Sequence, residues 1–481
     1  MDLKQKAISG IRWTTLSTIF TTVLQFAQLL ILSRLLDVRD FGLIAIVTVV
    51  ISLIRAFSDL GVTAAVIHFQ DTTDKELSSL YWLNILTGIS LFGLINLANP
   101  VIVYFYNEPE LPALLFYVSF TLLFAPAGSL FQTRLQKELK FNTIAYIESI
   151  STLAGTGLTV FLAFKGHGVW SLVAGQLLNA TLKSLALLSV AFKNYLILPV
   201  LSFKGIKKYL KFGMYQMGER SINFISERLD HLIIGSLLGS YALGLYNFAF
   251  NLISQPVNII NPIINKVSFP FFSKIQDDPA WLKSSYNKIL WGIMFINTPV
   301  LLGIAVAADY IVPVVFDPKW VESIKILQVL AFVSIFRASA NPAGSLILAK
   351  GRADLGFKWN SVLFAISIPV IAITSYFGNA LTVAAGMLFL QMILFYPNFR
   401  FLIQPFTGNW FIEYLKTIFT PLIMFTVIFT GLYFLIRFIF VESNVMNLIY
   451  TSLIIFVVSV IVSFILNRNK MGILKEFLQY K

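Results

Sequence analysis

Apolar runs of about 20 residues recur along the whole of this 481-residue chain. A helix of that length crosses the hydrocarbon core of a lipid bilayer, which is about 30 Å thick. Only 12% of the residues are charged, whereas soluble proteins carry about 25%. The sequence lacks the alternation over about 10 residues that is typical of transmembrane β-strands. It therefore predicts an all-α, polytopic membrane protein.

The apolar runs predict fourteen membrane spans, which places both termini on the same side of the membrane. The predicted spans are 13–36, 41–62, 80–104, 112–132, 145–164, 168–190, 212–238, 241–265, 286–308, 324–347, 358–377, 380–402, 417–438 and 445–466. The first predicted span follows directly after a polar, basic segment and is long enough to cross the membrane as a helix. We therefore expect that span to be retained rather than cleaved.

Lysine and arginine are distributed unevenly over the loops between these spans. With both termini inside, most of them fall on cytoplasmic segments, and those on outer segments are Arg34, Arg39, Lys165, Lys319 and Arg437. The positive-inside rule then predicts cytoplasmic N- and C-termini. The formal net charge of +13 is explained by this topology and gives no reason to expect a nucleic-acid partner.

An internal repeat relates the two halves of the chain. The pentapeptide Pro-Ala-Gly-Ser-Leu ends an apolar run at 126–130 and again at 342–346, and residues 29–43 align with residues 231–245. Related halves around a central site are typical of transporters. The repeat predicts an N-lobe over 1–190 with spans 1–6, a cytoplasmic basic linker over 191–211, a C-lobe over 212–402 with spans 7–12, and two added spans with a cytoplasmic tail over 403–481.

The linker contains Lys204, Lys207, Lys208 and Lys211 at helical spacing. This pattern fits an amphipathic helix at the inner headgroup layer or an ordinary basic loop equally well.

Several kinds of chemistry are excluded or disfavoured. The chain has no cysteine, so it forms no disulfide and no thiolate metal site. Its three histidines form no metal-ligand motif, and no GxxxxGK[ST] loop implies a nucleotide. We therefore expect no cofactor and no enzymatic activity. The longest outer loop, about 309–323, is too short for the external domain of a typical membrane glycosyltransferase.

Polar residues are concentrated on one face of span 7. At about 100° per residue, one third of the helix circumference carries Gln216, Glu219, Arg220, Asn223, Glu227, Asp230 and His231. Such residues are costly against lipid, so they must face protein or water. They either form an ion-pair network that fixes helix packing or line a cavity. In the second case Glu219, Glu227 and Asp230 are the candidates for proton or sodium coupling.

Other spans carry shorter polar faces. Span 8 presents carboxamides that suit either sugar hydroxyls or interhelical hydrogen bonds, including Asn247, Asn251 and Gln255. Polar groups around cations occur on span 2 (Thr48, Ser52, Arg55, Asp59), span 6 (Gln176, Asn179, Lys183) and span 10 (Arg337, Asn341). With Arg220 and Arg228, these cations would form a wet cavity suited to a phosphate-bearing substrate.

Five segments together resemble one transporter family. They are SRLLDVRDFG (33–42), SSLYWLN (78–84), QKELKFN (136–142), NPIINKVSFPFFSKIQDD (261–278) and GSLILAKGRADLGFKWN (344–360). The chain resembles the Wzx-type oligosaccharide-lipid flippases of the multidrug/oligosaccharidyl-lipid/polysaccharide exporter superfamily, within it most of all the colanic-acid exporter branch.

The resemblance implies two six-helix lobes in a V-shaped, alternating-access arrangement like that of the multidrug exporters. It further implies transport of undecaprenyl-diphosphate-linked repeat units from the inner to the outer leaflet of the bacterial inner membrane, for surface polysaccharide assembly. A polysaccharide polymerase and export machinery are candidate partners. The family's charged lumen maps by position onto Arg55, Asp59, Lys183, Arg220, Glu227 and Arg337.

Two alternatives remain from the sequence. The first is a cation-coupled drug exporter of the same superfamily, and the second is a membrane polysaccharide polymerase or glycosyltransferase. The short outer loops disfavour the second alternative.

The charge distribution gives a first testable prediction. A reporter fused after Lys481 should lie in the cytoplasm, and one inserted within 309–320 should lie outside, because the positive charge marks the inner loops. Alkaline phosphatase and green fluorescent protein fusions measure this directly. Finding both sites on one side would exclude the fourteen-span topology.

Overall fold

The computed structural model describes residues 3–58, 60–69, 72–194 and 198–439. These residues form helices joined by short turns, without a strand, which confirms the all-α prediction. The α-helices are α1 (Leu3–Leu35), α2 (Val38–Arg55), α3 (Val62–His68), α4 (Asp74–Tyr106), α5 (Leu111–Ser119), α6 (Thr121–Lys137), α7 (Phe141–Phe164), α8 (Val169–Asn194), α9 (Phe203–Lys274), α10 (Pro279–Ile311), α11 (Ser323–Ala349), α12 (Ala353–Tyr376), α13 (Ala380–Asn398), α14 (Gln404–Thr407) and α15 (Phe411–Ile439).

Helices occupy the first thirteen predicted spans apart from the end of span 2, and the fourteenth, 445–466, lies outside the described residues. Within the described ranges, eleven helical segments are long and apolar enough to cross a membrane. One of these, residues 224–261, contains part of span 7 and part of span 8. Gly239 separates the two at φ 82° and ψ 177°, a conformation that only glycine adopts readily.

The predicted end of span 2 is wrong. The helix α2 ends at Arg55 rather than at residue 62, and a turn leads into the short helix α3. Leu60 and Gly61 both have positive φ in this turn. A Cβ at Gly61 would overlap the backbone of Gly213 on α9. Ser58, Asp59 and Gly61 are typical turn residues, but the apolar residues on either side of them hide this signal in an average of hydropathy.

The helices pack into two compact units. The first contains the described residues up to 247 together with 363–376, and in it α7 packs against α1 and α8 while α6 packs against α8 and α4. The second contains 248–362 and the described residues from 377 onward, and in it α10 packs against α11 and α15. The predicted lobe boundaries at 190 and 212 stay a prediction.

The basic linker is helical from Phe203 onward and is continuous with span 7. Ile206 and Tyr209 are fully buried in an apolar cluster with residues of α3 and α4, whereas Lys207 and Lys208 are exposed. Lys208 forms an ion pair with Glu76 over 3.1 Å. This end of α9 is therefore an amphipathic helix packed on the first unit.

Backbone groups of the segment before α9 are bound to α4. The Leu198 amide donates a 2.9 Å hydrogen bond to Ser78, and the Leu198 carbonyl accepts one of 3.0 Å from the Trp82 indole. Ser79 bonds the segment twice, donating to the Val200 carbonyl and accepting from the Ser202 amide. These bonds fix the chain between α8 and α9 in the first unit.

The start of α2 lies directly against the turn between spans 7 and 8. A Cβ at Gly42 would overlap the carbonyl of Ser240, and one at Gly244 would overlap the carbonyl of Val38. Glycine at these positions lets two backbones touch, which is a common basis of helix association in membranes. We call this contact, formed by residues 38–42 and 240–244, the α2–turn contact.

An ion pair borders the α2–turn contact. Arg39 lies 2.6 Å from Glu108, which follows α4. Burial by itself raises the pKa of Glu108, but hydrogen bonds from Ser240 and Arg39 outweigh it and hold the pKa below its usual value. Glu108 therefore stays ionised and links α2, the end of α4 and the turn.

The α2–turn contact predicts the effect of a single methyl group. Replacing Gly42 with Ala should destabilise the protein by about 1–3 kcal/mol, because the new Cβ forces two backbones apart. Gly157→Ala is the matched control, since Gly157 also lies mid-helix and has open space around it. Thermal unfolding in one detergent compares them. Equal midpoints for the two variants would show that the contact tolerates separation.

Candidate functional site

A cavity of about 350 Å³ lies in the first unit between α2, α6 and α8. Its size falls within the range of about 300–1,000 Å³ that is usual for ligand sites. Its polar lining consists of Thr48, Ser52, Arg55, Thr121, Ser129, Gln132, Gln176, Asn179, Lys183 and Ser184. Most of these residues recur at three- and four-residue intervals on α2, α6 or α8, so each of these helices contributes one face. We call this the polar cavity.

The polar cavity brings together two faces that the sequence predicted separately. Thr48, Ser52 and Arg55 come from span 2, and Gln176, Asn179 and Lys183 come from span 6. The cations Arg55 and Lys183 therefore line the same space.

Close packing of small residues sets the position of α8 beside this space. A Cβ at Gly175 on α8 would overlap Thr159 and crowd the Gly155 carbonyl on α7. On the other side of α8, Ser184 donates a 2.7 Å hydrogen bond to the carbonyl of Phe124 on α6. Contacts on both sides fix the position of α8 between α6 and α7. The polar face of α8 therefore also has a defined position.

Lys183 is paired inside the unit. Its Nζ lies 2.8 Å from Oε1 of Glu148 on α7, and the same oxygen accepts a 3.1 Å hydrogen bond from Gln132. The side chains of Lys183 and Glu148 are 32% and 34% exposed. Water therefore reaches the pair, and another anion could compete for the lysine.

Glu148 is a residue that the sequence analysis missed. It is the single charged residue of predicted span 5, which contains no cation, so it belonged to none of the polar groups around cations that the sequence indicated. An ionisable residue inside a span is itself a reason to expect a functional role. That criterion would have found Glu148 but not its partner.

Arg55 is in a different electrostatic state from Lys183. It is exposed, lines the polar cavity and lies at the carboxyl end of α2, where the helix dipole favours a cation. Among the described residues, none forms an ion pair with its guanidinium. Asp59, which the sequence places on the same face of predicted span 2, lies outside the described residues.

The span 7 acids are placed differently from one another. Asp230 is buried, and it accepts hydrogen bonds from the Tyr246 hydroxyl at 2.7 Å and the His231 amide at 2.8 Å. The Asp230 and His231 side chains also lie 2.8 Å apart. Glu227 is exposed on α9. Asp230 and Glu227 do not line the polar cavity.

The remaining predicted residues lie on α9 and α11. Partly buried positions are held by Arg228, Asn247, Asn251, Gln255, Arg337 and Asn341. None of them lines the polar cavity. The side chains of Glu219, Arg220 and Asn223 lie outside what the structure describes, so their predicted roles stay predictions.

Comparison with known protein families gives one match along much of the chain. The model of the family described as polysaccharide biosynthesis protein matches residues 31–325. The lipopolysaccharide biosynthesis protein WzxC of Escherichia coli (strain K12) is 34% identical over 88% of this chain and 86% of its own length. The teichuronic acid biosynthesis protein TuaB of Bacillus subtilis (strain 168) is also 34% identical, over 86% of this chain and 83% of its own.

The fold is that of a solved transporter. The structure of the lipid II flippase MurJ in an inward closed conformation superimposes with a TM-score of 0.79, covering 96% of this chain and 100% of that one. The two sequences are 16% identical, so this likeness concerns the fold. It shows that this chain shares the fold of that protein.

The ion pair between α7 and α8 gives a testable prediction. Lys183→Glu and Glu148→Lys should each destabilise the protein, because each places two like charges about 3 Å apart in a site that is about one third exposed. The double reversal should restore a coupling energy of about 0.5–1 kcal/mol. A double-mutant cycle of unfolding measures it. Additive effects of the two changes would mean that the pair contributes no interaction energy.

Proposed function

We propose that this chain, which belongs to the polysaccharide biosynthesis protein family, moves lipid-linked oligosaccharide units from the inner to the outer leaflet of a membrane. The names of WzxC and TuaB connect relatives of this chain with the assembly of surface polysaccharides. The fold is shared with a lipid flippase. A flippase joins these observations, because polysaccharide units made on a lipid inside the cell must cross the membrane before assembly outside.

The polar cavity is the observation that carries the proposal. Arg55 and Lys183 provide two cations for a diphosphate, and arginine can bind a phosphate through two parallel hydrogen bonds. Gln132, Gln176 and Asn179 add carboxamides that both donate to and accept from sugar hydroxyls. Charged and uncharged polar groups thus meet within one cavity, as a sugar diphosphate requires.

The two cations have different roles in this proposal. Arg55 is the permanent anchor, because its charge is not committed to a pair among the described residues. Lys183 is a conditional ligand, because a phosphate must draw it away from Glu148. The side chains of the 2.8 Å ion pair are about one third exposed, so the exchange costs less than breaking a fully buried pair.

In the proposed transport cycle, the α2–turn contact closes the transport path at its outer end. By the predicted topology it lies at the outer ends of spans 2, 7 and 8, and it joins residues of the predicted N-lobe to residues of the predicted C-lobe. Opening to the outside requires Gly42 to separate from Ser240 and the Glu108 hydrogen bonds to that turn to break. Small, polar contacts of this kind separate more easily than a large apolar interface.

The finer features of the function are also part of the proposal. The carrier is undecaprenyl diphosphate, the membrane is the bacterial inner membrane, and both termini lie in the cytoplasm. Coupling to protons or sodium through Glu219, Glu227 or Asp230 and a partnership with a polymerase remain predictions. The names of the relatives disfavour the drug exporter, because those names concern polysaccharide assembly.

Substitution of Arg55 tests the proposed role of the cavity. Arg55→Ala should abolish surface polysaccharide export at normal protein levels, and Arg55→Lys should restore part of it, because lysine keeps the charge but loses the bidentate geometry. Export is measured as surface polysaccharide in a host that lacks its own flippase.

Arg352→Ala is the matched control, since Arg352 is an exposed arginine paired with Asp354 outside the polar cavity. It should export normally. Full export by Arg55→Ala would exclude phosphate binding at this position. Loss of folded protein together with export would instead make Arg55 a structural residue.

A further inference from the structure

The helix α1 carries a polar face that lies outside the lining of the polar cavity. It consists of Thr14, Thr18, Thr21, Gln25 and Gln28, and the side chains of Thr14, Thr18 and Gln25 are exposed. At a rise of about 1.5 Å per residue, this face extends for roughly 21 Å along the helix. Residues 13–33 contain no charged side chain, so the face is neutral throughout. We call it the α1 polar face.

The helix pair formed by α1 and α7 has an apolar side. Trp13 lies beside Tyr146, with ring centres 4.9 Å apart. Further along both helices, the Thr156 hydroxyl donates a 3.0 Å hydrogen bond to Gln28, so the two helices run parallel. Within about 60° of the two rings, at about 100° per residue, both helices expose large apolar side chains that suit contact with lipid. These side chains are Leu16, Phe20, Ile150 and Leu153.

The α1 polar face lies on the other side of this helix pair. With Trp13 at 0°, Gln28 falls at about 60°, where α1 meets α7. Thr14, Gln25 and Thr18 follow in the same direction at about 100°, 120° and 140°. The contact with α7 therefore separates the exposed polar residues of α1 from its apolar ones.

On α7, rotation away from the apolar side runs in the opposite sense. With Tyr146 at 0°, Thr156 falls at about −80° and meets α1, and Glu148 follows at about −160°. For two parallel helices in contact, opposite senses of rotation lead to the same side of the pair. Glu148 therefore lies on the side of the α1 polar face. Its ion pair with Lys183 connects that side with the polar cavity.

The hydrogen-bonding groups of the α1 polar face suit neutral sugars. The hydroxyls of Thr18 and Thr21 donate to backbone carbonyls of α1 over 2.8 and 2.9 Å, so their oxygens remain available as acceptors. Among the described residues, none forms a hydrogen bond with the exposed Gln25 amide, which can both donate and accept. Sugar hydroxyls can bond to all three groups, whereas a carboxylate or phosphate would find acceptors and no cation.

We infer that the α1 polar face binds the neutral sugars of the lipid-linked oligosaccharide while its diphosphate occupies the polar cavity. The inference rests on the proposed function and adds the position and the chemical class of the glycan. Lipid would leave the Gln25 amide unsatisfied, so this side chain needs a polar neighbour. A row of sugar rings along the face provides that neighbour at several successive turns of the helix.

The test compares the affinity of the purified full chain for two lipids. One is undecaprenyl diphosphate alone, and the other is the same carrier linked to a neutral trisaccharide of glucose and galactose. Microscale thermophoresis in detergent measures both dissociation constants. The wild type should bind the glycan-linked lipid at least fivefold more tightly. Gln25→Leu should remove most of this advantage and leave the affinity for the bare carrier unchanged, because leucine keeps the bulk of the side chain but forms no hydrogen bonds.

Three further variants separate the glycan from the diphosphate and from folding. Thr18→Val is nearly isosteric, loses one hydroxyl and should remove part of the advantage. Val23→Ala is the matched control, since Val23 lies at the same depth on the apolar side of α1, and it should bind both lipids as the wild type does. Arg55→Ala should weaken the binding of both lipids by the same factor. Thermal midpoints without lipid show whether each variant is folded.

Four results would overturn the inference. Equal affinity of the wild type for the two lipids would exclude a glycan site while leaving the proposed function intact. An equal loss for both lipids in Gln25→Leu would make Gln25 a structural residue. Equal affinity for a carrier whose trisaccharide contains uronic acids would exclude a preference for neutral sugars. Failure of the wild type to bind either lipid would instead refute the proposed function, and this inference with it.

Discussion

Close contact between helix backbones determines where the polar side chains of the first unit lie. Lipid offers no hydrophobic drive for one helix to bind another, so packing and hydrogen bonds must hold the bundle together. Gly175 lets α8 approach α7 until it touches Thr159, and Ser184 binds the same helix to α6. With α8 fixed on two sides, the neighbouring Lys183 meets Glu148, and the polar cavity has a defined form.

The first unit accommodates its ionisable groups in three ways, and each has a different consequence. Asp230 is buried, and its oxygens are satisfied by Tyr246 and His231, so it links the helical segments before and after Gly239. Lys183 is held in an ion pair that water can reach. Arg55 faces the cavity as an exposed cation. Only the last two arrangements leave a charge accessible to a substrate, and they occur in the same cavity.

Helices and polar faces could be predicted from the sequence, because each depends on spacing within one segment. Thr48, Ser52 and Arg55 share one face of α2 whichever helices α2 packs against. The structure adds that this face and the polar face of α8 line the same cavity. Contacts between helices were not predictable in this way. The partner of Lys183 lies on another helix, and the end of α2 depends on a turn at Gly61 that approaches α9.

The pairing of Lys183 also bears on how a flippase releases its substrate. Two permanently available cations would bind a diphosphate tightly on the inner side and would retain it equally well on the outer side. In the proposed cycle Glu148 competes with the phosphate for Lys183, which lowers the affinity in both directions. When the substrate leaves, the ion pair forms again and offsets the lost phosphate contact. In the proposed cycle Glu148 thus favours turnover over tight binding, whereas Arg55 provides the charge that selects a phosphate.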